Sequence, residues 1–383
     1  MSQKPLRVLH FYKTYYPDSY GGIEQFIFQL CKGTAQYGIA SEVLTLSPKP
    51  HEFPIEFSGH RVHQAKLDFQ VASTGFSLSA FRKFSGLASQ ADVVHLHYPW
   101  PFMDIVHFAT RHGKPTVVTY HSDIVRQQTL LKLYRPLKNH FFDSVDRIVA
   151  TSPNYLATSS VLNRFRQKVV EITYGLDKST YPPAPMARLE SWREKLGGMR
   201  RFFIFVGMLR YYKGLHILLD ALEGVNYPVV IVGSGPVESE LREHASRLGL
   251  RNIHFLGAVS DEDKVALLQL SYAIVFPSHL RSEAFGISLL EGAMFGKPMI
   301  SSEIGTGTSY ININGETGLV VPPSNPSAFR DAMSFLWVHP DVATEMGARA
   351  EARYWELFTA EKMAASYANL YRDVVAQKSV TTL

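Results

Sequence analysis

The sequence predicts an α/β protein built from two doubly wound, Rossmann-like domains, and three observations lead to this prediction. The chain has 383 residues, more than a single hydrophobic core usually organises. Short apolar runs alternate with stretches of helical periodicity along nearly its whole length, a pattern typical of parallel α/β sheets. A segment with three prolines, residues 175–186, interrupts the alternation once, and the alternation then resumes.

The first half contains five apolar runs that we interpret as strands buried on both faces of a parallel sheet. They are RVLHFY (7–12), SEVLTLS (41–47), DVVHLHY (92–98), PTVVTYH (115–121) and DRIVATS (146–152). A long loop follows the first run, and Ile23–Tyr37 then shows the spacing of an amphipathic helix. These elements predict a first domain over residues 1–175.

The second half repeats this organisation after the proline-rich break. Its apolar runs are RFFIFVGML (201–209), PVVIVGSG (228–235), NIHFLGAV (252–259), YAIVFPS (272–278) and KPMISS (297–302). We therefore expect a linker over 176–200 and a second domain over 201–355. One amphipathic helix is expected over 356–383.

The composition is that of a soluble globular protein, because 46% of the residues are hydrophobic and 19% are charged. No apolar run reaches the length of a membrane-spanning helix, and the N-terminus lacks the apolar core and cleavage site of a signal peptide. The single cysteine, Cys31, excludes internal disulfides and lies in a helical pattern, so we interpret it as a buried thiol. These features predict a cytoplasmic protein.

Charge is distributed unevenly along the chain. Residues 1–200 carry 24 Lys and Arg against 15 Asp and Glu, a net +9, whereas residues 201–383 carry 15 against 19, a net −4. A basic half indicates an anionic partner, either nucleic acid or a membrane face. Residues 125–142 mix cations with Leu, Tyr and Phe as in a bilayer-surface helix, but a helix packed on the sheet is an equal alternative and Pro136 interrupts the pattern. No basic–aromatic stripe or known module indicates nucleic-acid binding.

Candidate binding residues are expected at the carboxyl ends of strands, because ligands of open α/β sheets bind there. Gly21 and Gly22 precede the first helix, where backbone N–H groups and the helix dipole favour a phosphate. An ordinary flexible turn is an equal alternative, and Glu24 in the first helical turn also serves the dipole. Arg210 and Lys213 follow a strand and begin a helix, which favours a diphosphate clamp over a solvated basic turn.

Other strand ends give weaker signals. His121 ends a predicted strand, where it is placed to contact a substrate, although a packed or capping histidine is the usual outcome. His95 and His97 have no third ligand nearby, so we expect no metal site. The segment VGSGP (232–236) fits a tight turn better than a dinucleotide loop.

Two carboxylates delimit the apolar stretch EAFGISLLE (283–291). Glu283 falls in a strand–helix loop, from which it can reach a ligand. Glu291 lies about one turn into the following helix and can accept two hydrogen bonds from a vicinal diol such as a ribose. On their own, the two acids are better interpreted as unrelated surface groups.

Five motifs in a fixed order carry a family resemblance over nearly the whole chain. They are GGIE (21–24), TYHSD (119–123), VGMLRYYKG (206–214), SEAFGISLLEGAMFGKP (282–298) and ETGLVVPP (316–323). Together they resemble the retaining nucleotide-sugar glycosyltransferases of family 4, which have the GT-B fold. The most specific element is the pair of glutamates with an Arg/Lys pair some seventy residues before it. The GGIEQ opening and the LRYYKG segment are also similar to bacterial mannosyltransferases of lipopolysaccharide O-chain assembly.

The resemblance implies two domains that face a cleft, with the acceptor on the first domain, the nucleotide sugar on the second, and a C-terminal helix that returns to the first. In these roles His121 contacts the donor sugar near its C6 hydroxyl, and Glu283 holds other sugar hydroxyls. Arg210 and Lys213 neutralise the diphosphate leaving group, and Glu291 holds the ribose. The implied catalytic set is His121, Arg210, Lys213 and Glu283, and the implied donor-binding set is Gly21, Gly22, Gly207, Phe285, Gly286 and Glu291.

One position departs from the family pattern. Many members have Arg directly after the glycine that ends the strand, where this chain has Met208, so Arg210 is expected to substitute. The mechanism implied is transfer with retention, in which the diphosphate leaves on the face that the acceptor hydroxyl attacks. Cationic side chains and helix N-termini stabilise the developing charge, so neither a metal nor a cofactor is expected.

The expected function is therefore that of a hexosyltransferase that uses GDP-mannose. Its acceptor would be an undecaprenyl-linked saccharide, and the protein would lie peripherally at the inner face of the cytoplasmic membrane. The preference for GDP rests on the resemblance alone, so a UDP-sugar is an alternative donor. A nucleotide-sugar epimerase is disfavoured by the spacing of the two glutamates. A non-catalytic synthase subunit is disfavoured by the intact Arg210, Lys213, Glu283 and Glu291.

Overall fold

The computed structural model describes residues 4–71, 74–124 and 128–381, and the side chains of all of these except 128–133 and 381. The chain forms two compact units. The first unit comprises residues 1–175 and 360–383, and the second comprises residues 176–359.

The first unit is built on an eight-stranded sheet in the order β10-β9-β8-β7-β1-β2-β4-β3, in which only the β3–β4 pair is antiparallel. Its strands are β1 (Leu6–Phe11), β2 (Ile39–Ser47), β3 (Ile55–Phe57), β4 (His60–Lys66), β7 (Val93–Tyr98), β8 (Thr116–Tyr120), β9 (Arg147–Ala150) and β10 (Val169–Glu171). A separate antiparallel pair consists of β5 (Phe69–Val71) and β6 (Thr74–Phe76). The helices are α1 (Gly22–Thr34), α2 (Leu78–Gln90), α3 (Pro101–Thr110), α4 (Gln128–Ser144), α5 (Pro153–Thr158), α6 (Ser160–Arg164) and the C-terminal α15 (Ala360–Thr381).

The second unit is built on a six-stranded, fully parallel sheet in the order β13-β12-β11-β14-β15-β16. Its strands are β11 (Phe203–Val206), β12 (Val229–Val232), β13 (Ile253–Gly257), β14 (Ala273–Phe276), β15 (Met299–Ser302) and β16 (Gly318–Val321). The helices are α7 (Met186–Lys195), α8 (Leu215–Ala221), α9 (Glu238–Arg247), α10 (Asp261–Leu270), α11 (Ile287–Met294), α12 (Thr308–Ile311), α13 (Pro326–Val338) and α14 (Pro340–Leu357). Short 3₁₀ turns occupy Ala35–Tyr37, Arg166–Lys168, Lys178–Thr180 and Tyr211–Lys213.

The central strands of both sheets are buried, which explains why the sequence presents them as continuous apolar runs. All four residues of β11, β12 and β14 are buried, because helices cover both faces of a parallel sheet. Each of the ten apolar runs overlaps one of the strands, and the predicted α/β class with two Rossmann-like parallel sheets is confirmed.

Two predicted segments differ in the structure. The stretch 176–200, expected to be a linker, belongs to the second unit and contains α7. Trp192 of this helix is buried, and its Nε1 donates to Asp263 Oδ1 at 2.8 Å, so side-chain packing fixes the segment on α10. The stretch 356–383 is not one helix, because α14 ends at Leu357 and α15 begins at Ala360. The buried Phe358 lies at the break.

Three further sequence expectations concern individual elements. Cys31 is buried within α1, and burial raises the pKa of its thiol to about 12. Helix α4 continues through Pro136, which therefore does not interrupt it. The basic stretch 125–142 begins at residues 125–127, which lie outside the described residues.

The hydropathy of the helices bears on membrane crossing. In the part of the chain that the structure describes, no helix is both long and apolar enough to span a bilayer.

Candidate functional site

The predicted site residues of the second unit lie at the carboxyl ends of its central strands. β11 ends at Val206 and is followed by Gly207, and β12 ends at Val232 and is followed by Gly233. A Cβ atom on Gly233 would lie 2.0 Å from the carbonyl oxygen of Gly207, so the two loops approach backbone to backbone. This contact gives the VGSGP segment a packing role, as the tight-turn interpretation predicts.

Lys213 is placed by a short 3₁₀ turn after β11. Gly214 ends this turn in the left-handed region, with φ of 70°, and leads into α8. A Cβ atom on Gly214 would lie 2.0 Å from the carbonyl oxygen of Pro277, directly after β14. Only glycine fits such an approach, which sets Lys213 beside the loop that carries Glu283.

Lys213 and Glu283 form a buried ion pair. The Lys213 ammonium donates to Glu283 Oε2, and Ser278 Oγ donates to the same oxygen at 3.3 Å. Each side chain of the ion pair is only 11% exposed. Burial by itself lowers the pKa of Lys213, but the Glu283 carboxylate outweighs it, and the net pKa of Lys213 is raised. The site therefore holds a charged ammonium at neutral pH.

Arg210 lies in a different environment from Lys213. It is exposed, and its Nε lies 2.9 Å from Met208 Sδ. It lines a surface pocket between α8 and α9, together with Tyr211, His216, His244 and Arg247. The structure thus places Arg210 next to the position where the family arginine is missing, but on the surface rather than in the buried pair.

Glu291 lies on α11 and is 4% exposed. Its Oε1 atom lies 3.1 Å from Lys264 Nζ and accepts a hydrogen bond from Tyr181 at 3.1 Å. Burial lowers the pKa of Lys264, but Glu291 and Asp261 outweigh it, so the net pKa is raised and the lysine stays charged. Sequence reasoning missed Lys264 and Tyr181, because only the adjacency of α10, α11 and residue 181 brings them to Glu291.

Phe285 and Gly286 directly precede the first residue of α11. Gly286 precedes the first residue of the helix with φ of 95°, and Phe285 is buried against Phe358, with ring centroids 6.1 Å apart. Ser288 in the first turn donates to the carbonyl oxygen of Val206 at 2.6 Å. The N-terminus of α11 is thereby fixed to the carboxyl end of β11, close in the chain to Glu283.

In the first unit, Gly21 and Gly22 begin α1 as predicted, with Gly21 in an extended conformation as the N-cap. The Glu24 side chain is buried and accepts a hydrogen bond from Ser19 Oγ at 2.8 Å. A Cβ atom on Gly21 would lie 2.6 Å from Glu24 Oε2. The carboxylate of Glu24 therefore lies beside the start of the helix, where one of the two sequence interpretations places a bound phosphate.

His121 lies directly after β8 and is 1% exposed. Both of its ring nitrogens have partners: Nε2 lies 2.9 Å from His97 Nδ1, and Nδ1 is hydrogen-bonded to the Tyr174 hydroxyl. Burial lowers the pKa of His121 to about 3, which keeps the ring neutral. In this arrangement the ring has no nitrogen directed at a ligand.

The expectation that His95 and His97 have no third ligand nearby is wrong. His10 of β1 pairs in register with His95 of β7, and His10, His95 and His97 offer ligand atoms within 4.8 Å of one another. The strand order, which the sequence does not reveal, brings them together. Hydrogen bonds already account for much of the cluster, since His95 contacts Tyr371 Oη and Thr119 Oγ1, each at 2.7 Å.

Comparison with known proteins identifies the family. The family described as Glycosyltransferase Family 4 matches residues 20–178, and the family described as Glycosyl transferases group 1 matches residues 188–353. A D-rhamnosyltransferase, WbpZ of Pseudomonas aeruginosa, is 69% identical over 93% of this chain and 93% of its own length. The O-antigen chain mannosyltransferase C of Escherichia coli is 50% identical over 98% of this chain and its full length.

Solved structures support the same architecture. A sucrose-phosphate synthase from Thermosynechococcus elongatus superposes with a TM-score of 0.80 at 21% identity, covering 97% of this chain and 100% of that one. WaaG, a glycosyltransferase of lipopolysaccharide biosynthesis, gives a TM-score of 0.67 at 15% identity, covering 95% and 99% of the two chains. Together with the family matches and the sequence relatives above, this likeness shows that the chain belongs to glycosyltransferase family 4 and has the GT-B fold.

Proposed function

We propose that the chain transfers a manno-configured hexose from a GDP-sugar to a lipid-linked saccharide, with retention of anomeric configuration. The observation that carries the proposal is the buried Lys213–Glu283 pair at the carboxyl ends of β11 and β14. The names of the two relatives above, a D-rhamnosyltransferase and an O-antigen mannosyltransferase, support a sugar of this configuration. D-rhamnose is the 6-deoxy derivative of D-mannose, so the two candidate donors differ by one hydroxyl group.

In this proposal, Lys213 stabilises the charge that develops on the departing diphosphate. Its ammonium has three hydrogens, of which Glu283 engages one, and its raised pKa keeps it protonated as negative charge approaches. The backbone N–H groups at the start of α11, from Gly286 onwards, supply further positive potential. Arg210 approaches the diphosphate from the surface side, in place of the arginine that Met208 replaces.

Glu283 then acts as a binding group and not as a nucleophile. Its Oε2 atom is engaged by both Lys213 and Ser278, which leaves Oε1 to accept hydrogen bonds from sugar hydroxyls. A carboxylate held in this way has reduced nucleophilicity, because its charge is already neutralised. The acceptor hydroxyl would attack on the face from which the diphosphate departs and would pass its proton to a diphosphate oxygen.

Among the two donor sugars, we propose D-rhamnose ahead of mannose. The 69% identical relative is a D-rhamnosyltransferase. In addition, the family resemblance assigns His121 to the C6 hydroxyl, whereas both ring nitrogens of this His121 already have partners within the first unit. A sugar with a methyl group at C6 needs no hydrogen bond from that ring. Mannose remains the second candidate because of the 50% identical mannosyltransferase.

The acceptor we propose is an undecaprenyl-linked saccharide, reached from the inner face of the cytoplasmic membrane by peripheral attachment. The O-antigen context of the relative from Escherichia coli supports such an acceptor. The net charge of +9 over residues 1–200 is favourable for an anionic membrane face. We also propose that the reaction proceeds without a metal or cofactor, because Lys213 and the start of α11 supply the positive charge.

A transfer assay tests this function and separates it from its rivals. Purified protein is incubated with labelled GDP-D-rhamnose, GDP-mannose or UDP-glucose and a membrane lipid extract. Label that moves into lipid from either GDP-sugar supports the proposal, and the ratio of the two kcat/KM values decides the sugar. Transfer from UDP-glucose alone would show that the donor is a UDP-sugar and not a GDP-sugar. An isomerised donor would indicate an epimerase, and no reaction in any mixture would favour a non-catalytic subunit.

A further inference from the structure

The first unit carries an exposed apolar face beside its main sheet. In the β5–β6 hairpin, Phe69 is 57% exposed and Val71 is 55% exposed, although strands of globular proteins usually bury such residues. Leu78, the first residue of α2, is 81% exposed. We call Phe69, Val71 and Leu78, with the flanking cations Lys66 and Arg82, the hairpin face.

Hydrogen bonds hold these residues together as one surface. The Asp68 amide donates to the Phe76 carbonyl oxygen at 2.9 Å, and the Leu78 amide donates to Asp68 Oδ2 at 2.7 Å. The first turn of α2 therefore lies directly beside the residue that precedes Phe69. The rings of Phe69 and Phe76 stack with centroids 4.8 Å apart, and Phe76 in turn packs on Phe102 of α3. The apolar face is thus anchored to the core through Phe76.

The charges around this face are mainly positive. Lys66 is exposed, and its amide donates to Ser79 Oγ at 3.1 Å, so it lies at the start of α2. Arg82 is exposed one turn after Leu78 on the same helix. Helix α2 contains Arg82 and Lys83 but no acidic residue. Two carboxylates lie near these cations: that of Asp68 already accepts a hydrogen bond from the backbone, and Glu52 lines a surface pocket together with Arg82 and Lys83.

We propose that the hairpin face binds an anionic phospholipid bilayer. Exposed aromatic and aliphatic side chains insert into the boundary between headgroups and acyl chains, while Lys66 and Arg82 remain at the level of the lipid phosphates. The net +9 of residues 1–200 provides the long-range attraction. Three apolar side chains form a small anchor, so the attachment is peripheral and reversible. The inference rests on the proposed lipid-linked acceptor and names the surface that would bring the first unit to it.

Vesicle sedimentation tests the inference with the full chain and without donor or acceptor. The probes are vesicles of pure phosphatidylcholine and vesicles that also contain phosphatidylglycerol. The protein is expected to sediment only with the anionic vesicles, and added salt should release it. Equal binding to both vesicle types, or no binding to either, would overturn the proposal. Because no sugar transfer is measured, failure of the transferase assignment and failure of membrane binding are separate results.

Matched variants locate the surface. Phe69→Gln combined with Leu78→Gln should weaken binding to anionic vesicles at least tenfold, whereas Val338→Gln, at a position of α13 that is 63% exposed, should leave it unchanged. Arg82→Gln should weaken binding more than Arg251→Gln, which removes an exposed cation from the second unit. Unchanged binding in the double variant would overturn the proposal. So would dimers of the wild-type protein, seen by light scattering, that the double variant abolishes, because the face would then join two copies.

A reporter variant keeps the test valid if the double variant folds poorly. Phe69→Trp places an indole on the exposed side of the hairpin at little structural risk, because the side chain it replaces is 57% exposed. Its emission, taken as the difference from the wild-type spectrum, should shift to the blue with phosphatidylglycerol vesicles and stay unchanged with phosphatidylcholine. A spectrum that no vesicle changes would overturn the proposal.

Discussion

Lys213 and Glu283, 70 positions apart in the sequence, share a hydrogen bond in which both side chains are nearly excluded from water. A buried ion pair contributes little net stability, because the desolvation of two charges offsets their attraction. The pair lies at the carboxyl ends of two parallel strands, the edge at which open α/β sheets bind their ligands.

Lys213→Ala is expected to reduce kcat about a hundredfold or more, because the charge of the leaving group is then unmatched. Turnover with a fixed donor is the measurement. Lys195→Ala removes an exposed lysine of α7 in the same unit and should leave kcat unchanged. The melting temperature of both variants must be recorded, since Lys213→Ala leaves Glu283 buried and unpaired. Near-normal turnover in a folded Lys213→Ala protein would show that Lys213 does not stabilise the diphosphate leaving group.

Glu291→Ala is expected to weaken GDP binding roughly tenfold, as loss of hydrogen bonds to a ribose diol predicts. The same change removes the more buried of the two carboxylates that pair with Lys264, so lost stability is a competing cause. The double variant Glu291→Leu with Lys264→Met separates the two, because it removes both charges. If calorimetry shows that GDP affinity stays low in a double variant of normal stability, Glu291 binds the nucleotide. Recovered affinity would make the ion pair purely structural.

The fold was largely predictable because each central strand is buried on both faces and therefore appears as an apolar run. β4, HRVHQAK, escaped this criterion, because two of its four buried residues, His60 and Gln64, are polar, and the strand lies next to the edge of the sheet. The break between α14 and α15 also escaped it. Both sides of Phe358 have helical periodicity, and only tertiary packing shows that the chain passes from one unit to the other there.

The candidate site was predictable where function depends on local sequence and not where it depends on strand or helix neighbours. The glutamates at 283 and 291 and the lysine at 213 are identified through the family resemblance of the motifs that contain them. The partners of Glu291 depend on the adjacency of α10 and α11. The covering of Gly21 by Glu24 depends on a side-chain rotamer. The chain His10–His97–His121 depends on β1, β7 and β8 being neighbours in the sheet.

The buried histidines of the first unit predict acid sensitivity. Burial lowers the pKa of His10 and of His121 from 6.5 to about 3, with His60 adding to the effect at His10. As the pH falls below 6.5, the unfolded chain therefore takes up protons before the folded one. Stability is full above about pH 6.5 and is lost as the pH falls towards 3, by about 1.4 kcal/mol per pH unit for each such histidine.

His10→Phe tests this pH dependence, because the new ring fills similar space and cannot be protonated. Urea unfolding of the first unit, followed between about pH 7.5 and pH 5, should show a slope smaller by about one proton than in the wild type. His51→Phe, at an exposed position of the same unit, should leave the slope unchanged. Loss of the hydrogen bond to His97 will lower stability at every pH, so the slope and not the absolute value is decisive. An unchanged slope would show that His10 is protonated alike in both states.

The glycine that positions Lys213 provides a stability test with a matched control. Gly214 and Gly224 both have positive φ, 70° and 77°, but a Cβ atom on Gly214 would lie 2.0 Å from the Pro277 carbonyl oxygen, whereas nothing lies within 4 Å of one on Gly224. Gly224→Ala should therefore lose only the conformational term, about 1–2 kcal/mol. Gly214→Ala should lose about 3 kcal/mol or more by urea unfolding, because the backbone must also move apart. That movement shifts Lys213 away from Glu283, so turnover should fall in Gly214→Ala alone, and equal losses in the two variants would mean that the close approach to Pro277 does not position the lysine.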